Sequence, residues 1–331
     1  MQILYFISSY LLGFLLFWGS VSIEQIPTLL LNTLNLLNLR SFNALSMAHA
    51  IFNLEKEIRK RRIDEVHLNL TKASISSDIT DYLINLISFT LLEYVNFKII
   101  STEFKIKISK KEASKKKYNA VCLFSGGIDS YSGILNSRKY FNRLEGVFSA
   151  HSDQKKIIKI VKNLFDSNLS YYGIDLFKLK APSMGKGGYS QTRGFFYMLS
   201  TAAHMNLVGA DNLIVSECGP TMYQPQFSPA DSVTLTSHPT IIEITKNIIF
   251  SILNKKINII TPFEDLTKAE IMSVYPDKSG FKLTHSCIKQ RFGDHCGTCY
   301  GCVIRRSAGI ASGIKDVQYK KDPIMDENAN L

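Results

Sequence analysis

From Tyr118 onward, short apolar runs alternate with longer segments whose apolar positions recur at helical spacing. The runs 120–124, 146–150, 169–179, 212–216 and 257–260 read as strands. The segments 131–140, 154–166, 191–209 and 239–253 read as helices. Strand–helix alternation of this kind implies an α/β domain with an open, mostly parallel, Rossmann-like sheet and helices on both faces. Ligands of such sheets bind beyond the carboxyl ends of the strands. The loops after Phe124, Ala150 and Ser216 are therefore expected to line one crevice.

Before Tyr118 the pattern is mixed. Residues 3–19 carry no charge and read as a buried helix, with a membrane anchor as the alternative, since the run approaches the length of a span. It lacks the basic start of a signal peptide. Residues 22–39 are leucine-rich, with Pro27 near a helix start. Residues 42–62 read as a helix through Leu45, Ala48, His49, Phe52 and Ile58. Residues 66–70 read as a strand, 77–95 as an amphipathic helix and 97–108 as a strand. The expected partition is an N-terminal mixed α/β accessory region (1–118), a nucleotide-binding α/β domain (119–280), a metal-binding segment with a C-terminal helix (281–315) and a tail (316–331).

Composition changes this picture little. The chain has 331 residues, 45% hydrophobic and 20% charged, enough for about two globular domains. A formal net charge of +11 favours anionic partners without choosing among them. Seven lysines between Lys105 and Lys117 read as a solvated linker in preference to a nucleic-acid patch. The expected location is cytoplasmic, with any membrane association confined to residues 3–19.

The chemistry concentrates in two places. The first strand runs into Ser125-Gly126-Gly127-Ile128-Asp129-Ser130 and then a helix. Paired glycines let backbone amides approach a ligand, and the helix N-terminus adds partial positive charge, so the loop suits a phosphate. No lysine follows the glycines, which excludes a Walker A loop. Lys268 stands at a helix start, where a cation is unfavourable unless an anion lies nearby. Arg193, entering another helix, is a candidate for neutralising phosphate or a substrate carboxylate. Glu217 follows the fourth strand and is a weaker candidate. His49 and His67 read as structural.

The second place is Cys287, Cys296, Cys299 and Cys302, spaced C-x8-C-x2-C-x2-C. Four thiolates in a short polar stretch suit a closed, structural, tetrahedral zinc site. An iron–sulfur cluster and C-x2-C redox chemistry are the rivals. His285 and His295 are the substitute ligands. Arg305 and Arg306 are expected to be solvated or to face an anion. Cys122 and Cys218 read as small core residues.

The Ser125–Ser130 loop resembles the PP-loop of ATP pyrophosphatases. The loop and the cysteine cluster together, with 209–215, 261–263, 266–271, 285–287 and 295–299, resemble the QueC family of 7-cyano-7-deazaguanine synthases over about residues 118–312. The resemblance implies an adenine nucleotide alpha hydrolase-like fold. It also implies an ATP-dependent ligase that adenylates 7-carboxy-7-deazaguanine and passes it to ammonia, giving an amide and then the nitrile. Ser125, Gly126, Gly127, Asp129 and Ser130 would bind the pyrophosphate end of ATP, with Mg2+ bridging phosphate oxygens. Asp129, Lys268 and Arg193 would carry the catalysis, and the four cysteines would hold Zn2+.

The 118-residue extension, the 152–156 stretch and the 217–223 loop depart from the family. They look like a divergent branch found in anti-phage defence, where a protein amine replaces ammonia as acceptor. Partners expected on this reading are a small deazapurine acid, a protein acceptor or partner through the N-terminal region, and a second copy in a homo-oligomer; nucleic acid is not favoured. Two alternatives stand beside it: a tRNA-modifying PP-loop enzyme such as a thiolase, and a zinc-stabilised module that senses ATP without catalysis.

Overall fold

The computed structural model describes residues 3–5, 15–16, 20–23, 39–71, 75–102, 118–149, 174–179, 182, 190–224, 235, 237–274, 278–287, 289, 295–314, 317–322 and 324. The lysine run at 105–117, the helix expected at 154–166 and the stretch at 152–156 lie outside these residues. The chain forms two compact units. One comprises Met1–Tyr118, Pro182–Leu213 and Tyr223–Ile259; the other comprises Asn119–Ala181, Ile214–Met222 and Ile260–Leu331.

The first unit contains a five-stranded sheet. Its strands are β1 (Ile3–Tyr5), β2 (Leu15–Leu16), β3 (Ser20–Ile23), β4 (Glu65–Thr71) and β5 (Asn96–Thr102), in the order β2-β1-β3-β4-β5. β1 pairs antiparallel with β2, and the β1–β3, β3–β4 and β4–β5 pairs are parallel. The helix expected across 3–19 is thus replaced by strands at both described stretches within it. Ile3 aligns with Val21 and Leu4 with Ser22, so cross-strand pairing decides what a short apolar run leaves ambiguous. Among the described residues, no helix is long and apolar enough to cross a membrane.

Helix α1 (Leu39–Ile58) lies between β4 and two later helices, α4 (Arg193–Val208) and α6 (Pro239–Leu253), and α2 (Ile79–Leu91) packs on β5 and α6. Contact on several sides explains why every residue of α1 from Ser41 to Phe52 is buried, polar ones included. His49 sits inside this packing, its ring edge-on to Phe196 at 5.0 Å. Burial first, and Lys56 second, lower its pKa to about 4. His49 Nε2 has no hydrogen-bond partner among the described residues. The unfolded chain protonates His49 near 6.5, the ordinary imidazole value, so its neutral form supports the fold fully above that pH. This support is lost as pH falls towards 4, by up to about 3 kcal/mol. In urea titrations, His49→Leu should flatten the loss of stability between pH 6.5 and 4.5. Parallel pH dependence in the two proteins would contradict the assignment.

Glu55, at the end of the same helix, is fully buried. Its carboxylate accepts hydrogen bonds from Ser190 Oγ (2.7 Å), the Gln191 amide (2.8 Å), the Thr192 amide (3.0 Å) and Thr192 Oγ1 (2.7 Å), and pairs with Arg59 at 2.7 Å. The N-terminus of α4 is therefore capped by the chain's own carboxylate. Glu55→Ala leaves several buried donors unpaired and is expected to cost about 3 kcal/mol or more. Denaturant midpoints should rank wild type, then Glu55→Gln, then Glu55→Ala; equal midpoints would refute the role.

The second sheet runs β10-β9-β6-β7-β8, with β6 (Ala120–Leu123), β7 (Leu144–Ser149), β8 (Asp175–Leu179), β9 (Asn212–Ile214) and β10 (Asn258–Ile260). β6–β7 and β7–β8 are parallel, as the alternation implied. The C-terminal residues of β9 and β10, Ile214 and Ile260, belong to the second unit with β6, β7 and β8. The core of that unit gathers Cys122, Phe124, Ile128, Tyr131, Ile134, Cys218, Phe263, Ile271, Phe281 and Ala308.

Candidate functional site

Phe124 extends the strand ladder through its amide to Val147 O at 2.7 Å, and the chain then turns sharply. Gly126 has φ of 81°, a left-handed conformation that suits glycine. Gly127 is the N-cap of α3 (Ile128–Ser137), whose first turn carries Asp129. Two hydroxyls brace the turn. Ser130 Oγ accepts from the Ser125 amide at 3.3 Å, donates to Gly127 O at 3.1 Å, and lies 3.1 Å from Ser125 Oγ; the Gly127 amide donates to Ser125 Oγ at 3.3 Å. Ser125 is exposed while Asp129 and Ser130 are buried. The first-turn amides of α3 have no intrahelical acceptor, so the turn is built to receive an anion.

Lys268 opens the short helix α7 (Lys268–Val274) and forms an ion pair with Asp129. The anion that its position called for is thus a side chain of the loop. Burial pulls the Lys268 pKa down, but Asp129, Cys218 and Glu217 outweigh it and the net shift is upward. A capping box fixes the start of α7: Glu270 Oε2 accepts from the Thr267 amide and hydroxyl, each at 2.7 Å, and the Glu270 amide donates to Thr267 Oγ1 at 3.3 Å. The loop after β9, which carries the short helix α5 (Gly219–Met222), joins this group. Gly133 lies so close to Ser216 that a Cβ there would sit 1.8 Å from Ser216 Oγ, and the Gly219 amide donates to Leu266 O at 2.9 Å. The 125–130 and 217–222 loops both approach Lys268, through its ion pair with Asp129 and its electrostatic interaction with Glu217 and Cys218; the loop after β7 lies outside the described residues. Arg193 opens α4 in the first unit and is exposed.

The four cysteines are brought together. All are buried, their sulfurs lie within 4.8 Å of one another, and the pairs Cys296–Cys302 and Cys287–Cys299 stand at 3.9 and 3.8 Å. Tetrahedral Zn–S bonds of about 2.3 Å place sulfurs about 3.8 Å apart, so the donors fit zinc in type, number and spacing. Burial pushes both Cys296 and Cys302 thiols up. For Cys296 the Thr298 hydroxyl and amide, with Cys287 and Cys299, reverse this and bring it to about 6, while Cys302 stays shifted upward. Bound there, zinc would supply a structural cross-link with no open position.

His285 and His295 stand outside the four-sulfur group. His285 Nε2 lies 2.9 Å from Cys287 O, and His295 Nε2 accepts from the Ser286 amide at 3.3 Å. A C-terminal strap covers the cluster. Tyr319 packs on the cysteines, the Lys320 amide donates to His295 O at 2.9 Å, and Gly297 (φ 80°) faces Lys321 O with no room for a Cβ.

The expectation that Arg305 and Arg306 are solvated or face an anion is corrected. Both lie on α9 (Tyr300–Ala311). Arg305 is fully buried and donates to Thr284 O (2.7 Å), Thr284 Oγ1 (3.0 Å) and Phe281 O (2.6 Å). Arg306 pairs with Asp322 at 2.8 Å. Carbonyls left over at the end of the short helix α8 (Lys278–Phe281) attract Arg305, which helical periodicity alone does not reveal.

Residues 235–312 match the family model of the queuosine biosynthesis protein QueC. Over that segment the chain is similar to QueC. The QueC-like segment contains Lys268 and all four cysteines, while the Ser125–Ser130 loop lies outside it. No curated protein matches the chain. The fold is α/β, with β6, β7 and β8 paired in parallel within a five-stranded sheet.

Proposed function

We propose that the chain adenylates a carboxylate with ATP, most specifically that of 7-carboxy-7-deazaguanine, and transfers the acyl group to an amine. The observation that carries this reading is the Asp129–Lys268 pair. It joins the phosphate-type loop to the QueC-like segment. A carboxylate resists attack by amines until one oxygen becomes a leaving group. Attack of that oxygen on the α-phosphorus of ATP expels pyrophosphate and yields an acyl adenylate; attack by the amine then releases AMP. Ser125, Gly126, Gly127 and Ser130 would hold the departing pyrophosphate through backbone amides and hydroxyls. Lys268 would offset charge developing on the phosphates, and Asp129 is the carboxylate within the loop for a magnesium ion carried in with ATP.

Sulfur transfer is the weaker reading. Outside the cluster the sequence offers only Cys122 and Cys218. Burial pushes Cys122 up to about 12, and burial together with Asp129 raises Cys218, so both are neutral thiols. The acceptor is ammonia or a protein amine. Mass spectrometry of reactions with ATP, Mg2+ and 7-carboxy-7-deazaguanine, with and without ammonium, decides the matter. An ammonium-dependent amide or nitrile identifies ammonia. An acyl adenylate without such a product points to a protein amine. Consumption of neither ATP nor the acid would overturn the proposal.

A further inference from the structure

Five observations converge on the stretch Gly280–His285. The His285 amide donates to Gly126 O at 2.9 Å, directly behind the left-handed residue of the phosphate-type loop. Gly280 lies against Tyr131, the residue after Ser130, so closely that a Cβ would stand 2.1 Å from the Tyr131 hydroxyl. The Phe281 ring meets Tyr131 edge-on at 6.0 Å, and both rings are fully buried. The stretch is tight in itself, through Leu283 amide to Gly280 O and Thr284 amide to Phe281 O, each at 3.1 Å. What holds it from the other side is the Arg305 guanidinium, which bridges Phe281 O and both oxygens of Thr284.

Arg305 lies three residues after Cys302, and His285 two residues before Cys287. The stretch is therefore joined to the cysteine cluster along the chain at its His285 end and through Arg305 at Phe281 and Thr284. A buried guanidinium with three oriented acceptors is a rigid fork that an ammonium does not reproduce.

We propose that Arg305 is a positioning residue for the phosphate-type loop: through Phe281, Thr284 and the His285 amide it holds Gly126 in the conformation that admits pyrophosphate. The proposal rests on the ATP-site reading above. Its geometry extends that reading by giving the cysteine cluster a mechanical part in nucleotide binding. Loosening the stretch lets Gly126 leave its left-handed conformation, and the loop then has to be reordered by the nucleotide itself, which weakens binding.

The test compares wild type, Arg305→Lys, Arg305→Ala and Thr284→Val, each with its zinc content measured. Calorimetry gives the affinity for α,β-methylene-ATP, and hydrogen exchange reports residues 124–131. Arg305→Ala is expected to bind at least about tenfold more weakly with its zinc retained, and Arg305→Lys to recover part of the loss. Thr284→Val should weaken binding severalfold. Exchange should rise at 124–131 in the same order and stay unchanged in β7. Should Arg305→Ala fail to fold, Arg305→Lys and Thr284→Val carry the comparison. Equal affinities and equal loop exchange in zinc-loaded variants would overturn the proposal. Absence of binding by wild type would instead overturn the ATP-site reading.

Discussion

Removing metal from the four-cysteine cluster is expected to unfold the described residues around it, 285–287 and 295–302, and to lower the melting temperature of the whole chain. The described part of this region has little apolar core of its own: the cysteines form a separate cluster with Tyr319 as partly buried neighbour. Folding free energy in such a place comes from the metal, about 10 kcal/mol or more for a zinc site of four protein ligands. Cys299→Ser removes the sulfur that stands 3.8 Å from Cys287, and Cys302→Ser removes a fully buried one. Each variant should lose zinc stoichiometry and melt well below wild type, and chelation of the wild type should produce the same shift. A melting curve indifferent to both chelation and substitution would show that the cluster is not a structural metal site. An iron–sulfur cluster would announce itself by visible absorbance in the purified protein.

The second large effect concerns Asp129. Asp129→Asn keeps the size of the side chain and removes its charge. AMP formation is expected to fall by about a hundredfold or more, the loss typical of deleting one aimed electrostatic group. Stability should fall too, because the largely buried Lys268 loses its counter-ion; breaking such a pair from one side costs about 3 kcal/mol. Adding Lys268→Met should restore the stability and leave the activity low. That separation distinguishes a chemical role from a structural one. Recovery of AMP formation in the double variant would mean that Asp129 serves only to neutralise Lys268.

Much of the second sheet was legible in sequence because its strands are short apolar runs bounded by turn residues and its helices are amphipathic. The helix expected at 239–253 is Pro239–Leu253, begun by a proline at its first position and closed by Asn254 in a left-handed conformation. The loop was legible because glycine, serine and aspartate at fixed spacing have few other uses between a strand and a helix. The cysteines were legible by spacing alone. Lys268 was legible through a local conflict, a cation at a helix start, which the structure resolves with Asp129.

What stayed hidden depends on partners far away in sequence. Glu55 lies towards the end of the helix read across 42–62 with nothing in the local pattern to mark it, yet it is tied to residues 190–192, some 135–137 positions on. Arg305 looked solvated because its acceptors are backbone carbonyls 21 and 24 residues earlier. Residues 3–5 looked helical because three apolar residues have no period to read, and only pairing with β3 makes them a strand. His49 was legible as structural; its acid sensitivity was not, because that follows from burial on every side of α1.

The central claim is that the chain activates a carboxylate as an acyl adenylate. Isotope exchange between labelled pyrophosphate and ATP measures that step alone, before any amine takes part. The account predicts exchange that requires 7-carboxy-7-deazaguanine and is abolished in Asp129→Asn. Absence of exchange, with ATP instead cleaved to ADP and phosphate, would contradict it.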